Sequence, residues 1–396
     1  MVIERQGTPG TNSSGMRAHN ERLILTLLHQ EVEGIPGSEL ARRTGLSSQT
    51  ASVILRKMEA DALLRRGQAL KGRVGKPSIP MQINPNGAFA YGLKIGRRSA
   101  DFVWMDFTGN LRHQSSFSYT YPRPADVFEF VACEMSEIED GLSEDEIQRV
   151  CGLGIGVPHD LWSWSRQIGA SETELAAWRE MDFHAEIARF CEHDVFVLND
   201  ATAACRAEHI LGQGKGYQDY AYFYVGSFVG GGVVLNHSVY EGRRGNAGAM
   251  GPMPVCGPTG AHRLHDQASL HVLKTALETD GQDSPILWEH PLDWDAIEPQ
   301  LQQWIEESAE ALAEACLSAC AVIDFEAIVI DGAVPDGVRR TLVAQVEQKL
   351  STLDHRGLLL PRVVAGSMGP MARVMGAACT PFFRKFLLNT NEASAF

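Results

Sequence analysis

The sequence predicts an N-terminal winged helix-turn-helix of α+β type, followed by a duplicated α/β domain with two lobes. Three observations carry this. Residues 16–80 hold eleven Lys and Arg against six Asp and Glu, whereas residues 81–396 hold 23 against 42. The basic segment is helical by its apolar periodicity and closes on an alternating, Gly-containing stretch. From about residue 88 strands and helices alternate along the rest of the chain.

At 396 residues the chain has room for two or three units. It contains no run of 18 apolar residues, and residues 1–15 lack a basic-then-apolar leader and read as a flexible tail. The expected setting is therefore soluble and cytoplasmic, with no membrane partner. The eight cysteines are scattered and none forms a Cys-x-x-Cys pair, so reduced, mostly buried thiols are expected. A basic head on an acidic body confines contact with a polyanion to the head.

In the head, residues 16–80, "NERLILTLLHQEVEG" places Leu23, Ile24, Leu27 and Leu28 at helical spacing and ends near Gly34. "GSELARRTGLSSQTASVILRKMEADALL" then reads as a short helix, a turn at Gly45 and a longer helix. In the longer helix Ala51, Ile54, Leu55 and Met58 form one buried stripe, and Ser47 is its natural N-cap. Pro36-Gly37 stands where a Ser or Thr cap would open the short helix, so nothing marks that start. The remaining face of the longer helix presents Ser48, Gln49, Thr50, Ser52 and Arg56, groups that read base edges and phosphates. "LLRRGQALKGRVGKPSIPMQIN" alternates as a wing, with Arg73 and Lys76 at its tip suited to a minor groove. The expected partner is a double-stranded DNA operator, bound by a dimer or tetramer of this chain. A three-helix bundle with a solvated polar face is the alternative.

In the body, "VCGLGIGVPHDLW" reads as a buried strand entering a Pro-containing turn. "DVFVLNDATAACRAEHILG" is a strand over 195–198, then Asn199-Asp200, then a helix. "YAYFYVGSFVGGGVVLNHSVYEG" is a strand, a Gly-rich turn and a strand; "AEALAEACLSACAVIDFEAIVIDGAVP" is a long helix and a strand ending in Asp331-Gly332. This order fits a duplicated, actin-like fold over 88–386, with a lobe boundary near 205 and a C-terminal helix returning to the first lobe. Ligands in such sheets bind beyond the strand C-termini, where Asp160, Asp200 and Asp331 are expected.

The ordered set "NERLILTLL", "LARRTGLSSQTAS", "GVP", "LNDATAA", "GGGVV" and "GNAGAMG" resembles the ROK family of bacterial sugar-responsive repressors and sugar kinases over roughly 16–386. Kinases of that family open with an Asp-x-Gly-Gly-Thr phosphate hairpin. The matching positions in "GLKIGRRSADFVWMDFTGN" are Lys94, Ile95, Gly96, Arg97 and Arg98. A second phosphate turn, Gly-Thr-Gly in the kinases, reads Gly226-Ser227-Phe228. Phosphoryl transfer is mainly positioning and charge stabilisation, so these departures imply no catalysis even though Asp200 matches the family's catalytic base. The cationic hairpin reads either as solvated surface or as contact for a phosphorylated effector.

The family's Glu-x-Gly-His reads Ala249-Met250-Gly251-Pro252, which removes its zinc-binding His, and Cys256 stands alone in "CGPTGAHRL". One thiolate cannot complete a four-coordinate site, so no metal and no other cofactor is expected. The resemblance implies an effector pocket of Pro158, His159, Asn199, Asp200, Gly248 and His265, the last in place of a sugar-contacting Glu. An Asp200 that merely caps the following helix is the alternative. The functional reading is a DNA-binding regulator, a repressor of carbohydrate-use genes, with a non-catalytic body that senses a sugar or sugar derivative. Two others stay open: a body that docks a protein partner without a small molecule, and a sugar kinase with a fused DNA-binding head.

Overall fold

The computed structural model describes residues 13–69, 79–159, 161, 175–257, 260–282, 284–289 and 292–393. The head consists of α1 (Ser13–Gln30), β1 (Ile35–Pro36), α2 (Gly37–Thr44), α3 (Ser48–Ala60), β2 (Leu64–Arg66) and β3 (Pro80–Ile83). Both β1 and β2 pair antiparallel with β3. Ser47 caps α3 by accepting from the Thr50 N–H, and Gly45 at φ 69 turns the chain between α2 and α3. Without a side-chain cap, α2 starts directly at Gly37 after Pro36. The stripe of α3 is buried as its spacing requires; α1 buries Ile24, Leu25 and Leu28, so Leu25 takes the core place expected for Leu23.

The body holds two five-stranded sheets. The first comprises β4 (Phe89–Ile95), β5 (Ser99–Asp106), β6 (Leu111–Ser118), β7 (Val150–Val157) and β8 (Val195–Asn199), in the order β6-β5-β4-β7-β8. The second comprises β9 (Tyr220–Val225), β10 (Val229–Leu235), β11 (Ser238–Val239), β14 (Ala327–Gly332) and β15 (Arg362–Ala365), in the order β11-β10-β9-β14-β15. A two-stranded ribbon, β12 (Pro254–Gly257) with β13 (Gly260–Arg263), stands apart from both. In each large sheet the strand leading into the hairpin pairs antiparallel with its successor and parallel with a later strand. That shared pairing pattern is the structural form of the duplication.

The helices α4 (Pro124–Glu139), α5 (Asp200–Ile210), α6 (Leu270–Thr279), α7 (Glu298–Val322), α8 (Asp336–Thr352) and α9 (Ala372–Phe386) complete the layers. The last of these, α9, lies on α5 and against β4 and β7. Contact there is at backbone distance: a Cβ built on Gly376 would lie 1.7 Å from the Ala203 carbonyl oxygen. The far end of α9 enters the head, since Phe382, Phe383 and Leu387 share one hydrophobic core with Ile24, Leu28, Leu40 and Met58. Phe107 sits at that junction, 5.0 Å from the His29 ring and 5.2 Å from Phe382. The Asp-Phe-Thr-Gly-Asn turn that contains it is built on Asp106. Its Oδ1 accepts from the Thr108 N–H at 2.9 Å, the Thr108 hydroxyl at 2.7 Å and the Asn110 N–H at 3.1 Å. No helix among the described residues is long and apolar enough to cross a membrane.

Candidate nucleic-acid interface and effector cleft

On α3, Ser48, Gln49, Thr50, Ser52 and Arg56 are all exposed on the face opposite the buried stripe. Thr50 is partly committed to the cap, its hydroxyl 2.8 Å from that of Ser47, and the Arg56 Nε donates to the Ser52 carbonyl at 3.2 Å. Three other head arginines, Arg42, Arg43 and Arg66, are more tightly held. Glu39 accepts from Arg42 and Arg43, Glu31 from Arg43, and Glu59 from Arg66. Arg73 and Lys76 of the wing lie outside the described residues. The face also contains Val53, 48% exposed, which sequence reasoning passed over. Its signal was a β-branched apolar residue off the buried stripe, chemistry that suits a thymine methyl group.

The cleft between the lobes is built on the hairpin after β4. Lys94 is buried, and its Nζ folds back to the Ser99 hydroxyl at 3.0 Å and to Asp101 Oδ2 at 2.7 Å. Burial lowers the pKa of Lys94, and the Asp101 carboxylate opposes that. The ammonium group fills the inside of the turn: a Cβ on Gly96 would lie 2.7 Å from it. Arg97 reaches the other lobe and stacks on Phe228, 4.4 Å from the ring centroid, while Arg98 stacks on Trp288 at 4.8 Å. Burial pushes the Arg97 pKa down to about 10, with the Asp200 carboxylate pulling the other way. The lobes are thus clasped by two cation–π contacts where the sequence departs from a phosphate hairpin.

Asn199 and Asp200 close β8 and open α5. The cap is Asn199, whose Oδ1 accepts from the N–H groups of Ala201 and Thr202 at 3.0 and 3.2 Å. Its acceptor is thereby spent, and only its amide N–H donors face a ligand role. Asp200, expected either as a ligand acceptor or as the cap, is not the cap; its Oδ2 accepts from Arg373 Nη1 at 3.3 Å. Arg373 comes from the first turn of α9 and lies over the Tyr224 ring at 5.1 Å. Pro158 is buried at the end of β7 and His159 is exposed beside it.

Gly248, at φ 76, is a packing residue, since a Cβ there would lie 2.4 Å from the Gly232 Cα. His265 meets Phe228 edge-on with centroids 6.2 Å apart, and its Nε2 lies 3.2 Å from Asp266 Oδ1. It therefore packs on the Phe228 side of the cleft. That side opens into a cavity of about 560 Å³ lined by Phe228, His265, His271, Thr275, Gln300 and Gln303.

Of the three strand-end aspartates, Asp331 is no part of the cleft. Its carboxylate is saturated by the Tyr222 hydroxyl at 3.1 Å, Arg339 Nη1 at 3.0 Å and the Gly369 N–H at 3.0 Å. Burial, together with nearby Glu208, raises its pKa to about 6. Asp160 lies outside the described residues. Cys256 is exposed on β12, and its N–H donates to Glu314 at 2.6 Å. Among the described residues, no three His, Cys, Asp or Glu side chains come together as a metal site.

A ROK family profile matches residues 90–380, and one for winged helix-turn-helix DNA-binding matches residues 17–61. The chain belongs to the ROK family. Its fold is that of a solved ROK family transcriptional regulator described as a homolog of the E. coli MLC protein. That likeness has a TM-score of 0.63 at 20% identity, and covers 92% of this chain and 96% of that one. The chain is 25% identical to the xylose repressor of Bacillus subtilis over 278 residues, 66% of this chain and 68% of the repressor. It is 32% identical to the bifunctional enzyme NanE/NanK of Brucella melitensis over 186 residues, 46% of this chain and 34% of that enzyme. Repressors and kinases both stand among its ROK relatives, so membership alone leaves both activities open.

Proposed function

We propose that this ROK chain is a sugar-responsive, DNA-binding repressor whose body no longer transfers phosphate. The head supplies the DNA half of the reading: a winged helix-turn-helix with an exposed polar face on α3 and a basic balance against an acidic body. One observation carries the non-catalytic half. The three places a ROK kinase keeps for phosphate and for its base are taken by the chain's own groups. Lys94 fills the hairpin turn, Phe228 with Arg97 fills the second turn, and Arg373 pairs with Asp200. A carboxylate oxygen that accepts from a guanidinium is no longer free to accept from a substrate hydroxyl.

The sensing half rests on the same cleft. The Asn199 amide donors, the second oxygen of Asp200, Pro158 and His159 converge at the ends of β7 and β8, chemistry suited to a polyhydroxyl ligand. Two-fold related copies on a pseudo-palindromic site are the expected assembly.

The test has two parts. Genomic fragments recovered on the full chain, with and without sugars, should define one operator whose occupancy a sugar reduces. Purified chain with ATP and the same sugars should release no ADP above background. Sugar-dependent ADP release that disappears in Asp200→Asn would make the chain a kinase, and an operator indifferent to every sugar would remove the sensing half.

A further inference from the structure

The cleft and the head are joined by one helix, and both of its ends are anchored by polar groups. At the start of α9, Arg373 donates to Asp200, and its Nε is buried with no hydrogen-bond partner. Along its middle, α9 cannot slide freely on α5, because Gly376 meets the Ala203 carbonyl at backbone distance. One turn on, the Thr380 hydroxyl accepts from Arg206 Nη1 at 2.7 Å, and the fully buried Arg206 also pairs with Glu241 and lies over Phe383 at 4.6 Å. Glu241 in turn accepts from Arg384 near the end of α9 at 2.7 Å. The head grips that end directly. Arg22 Nη2 donates to the Arg384 carbonyl at 3.3 Å and the Leu388 N–H donates to the Thr26 hydroxyl at 2.9 Å, while Phe382 and Phe386 also pack on Phe107 of the body. Asp200 and Arg206 belong to the same helix, α5, so α5 and α9 are tied at two points with a dense contact between them.

We infer that Arg373 is the positioning residue through which the cleft controls the head. A ligand hydroxyl that takes the Asp200 oxygen competes with the guanidinium for it, and a displaced Arg373 shifts the start of α9. Because α9 is pinned on α5 and gripped by α1, that shift is delivered to the head as a change in its packing and not absorbed locally. This rests on the reading of the cleft as the sensing site. It adds a residue on another helix, 173 positions from Asp200, whose role is to report occupancy rather than to recognise the ligand.

Arg373→Met in the full chain breaks the pair while keeping the aliphatic bulk, and Arg373→Lys keeps the charge. Two readouts need no sugar: amide hydrogen exchange of residues 13–30, and affinity for the genomic fragments that the wild-type chain recovers. Arg373→Met should raise exchange in that helix and weaken DNA binding by about five- to a hundredfold, with Arg373→Lys restoring most of both. Arg22→Met cuts the grip at the other end, and its effect combined with Arg373→Met should be smaller than the product of the two, as for sites on one line of coupling. A merely structural Arg373 would give independent effects. Should Arg373→Met fail to fold, Asp200→Asn breaks the same pair at nearly constant shape and is measured in its place. Unchanged exchange and DNA affinity in the folded variant, or independent effects in the double variant, overturn the inference. A third arm, thermal shift with D-xylose and D-glucose, separates the two claims. No response in the wild-type chain counts against these sugars as ligands, while the exchange and DNA arms still decide the role of Arg373.

Discussion

Replacing His29 by Phe should flatten the loss of stability in acid. His29 lies in α1 against Phe107 with 75° between the ring planes, and its Nε2 is buried with no hydrogen-bond partner. Burial pushes its pKa from 6.5 down to about 4. His209 lines the same cavity of about 30 Å³ between head and body, and burial pushes its pKa to about 4 as well, only partly opposed by its hydrogen bond with the His237 carbonyl. Both folded values lie below the unfolded one, so the unfolded chain takes up these protons first as the pH falls. The stabilisation is whole above about pH 6.5 and is lost progressively toward pH 4. At pH 5 each histidine accounts for about 2 kcal/mol of that loss, or about 4 kcal/mol for the pair. Phe at position 29 keeps the ring contact and cannot accept a proton. Urea unfolding of the full chain at pH 8 and pH 5, at constant ionic strength, should show His29→Phe retaining about 2 kcal/mol more of its pH 8 stability than the wild type. Parallel losses in the two proteins would refute the reasoning, because His29 would then titrate alike in the folded and unfolded chain.

Other consequences are as direct. Gly376→Ala forces a methyl to within 1.7 Å of the Ala203 oxygen, and should cost at least about 3 kcal/mol, seen as lost soluble yield or a lower urea midpoint. Asp106→Ala removes the buried carboxylate that accepts from the Thr108 and Asn110 N–H groups of a half-exposed turn and should cost about 2 kcal/mol by the same assay. Gln49→Ala should reduce discrimination at one operator base by about 1–3 kcal/mol, measured by competition between single-base variants. Val53→Ala should abolish the penalty for replacing one thymine by deoxyuracil, which removes only the methyl group; a penalty that persists would place Val53 away from the bases.

Much of this was legible along the chain, because it is local. The Ser47 cap, the Gly45 turn and the buried stripe of α3 depend on residues within one or two turns of each other. The unusual hairpin at 94–98 could likewise be read from five residues. What the hairpin does could not. Arg97 on Phe228 and Arg98 on Trp288 join positions more than a hundred residues apart, and no spacing rule links them. The same holds for Arg373 on Asp200. A carboxylate at the start of a helix reads as its cap, and the neighbouring Asn199 takes that role because its own backbone has the extended conformation a cap requires, at φ −63 and ψ 137. Asp331 misled for a similar reason: a strand end marks where ligands bind in such sheets, but not which aspartate has already been satisfied by Arg339 and Gly369.

The shared core of α1 and α9 also bears on the order in which the protein comes into being. The recognition helix α3 leaves the ribosome early, while Phe382, Phe383 and Leu387 follow only after both body sheets have been made. Until then Ile24, Leu25 and Leu28 have no partner from α9, and the head lacks part of its hydrophobic core. Nascent and prematurely terminated chains would carry a head too loosely packed to hold its reading face in register, so they would compete poorly for operators. Operator binding would then favour chains whose synthesis has passed α9.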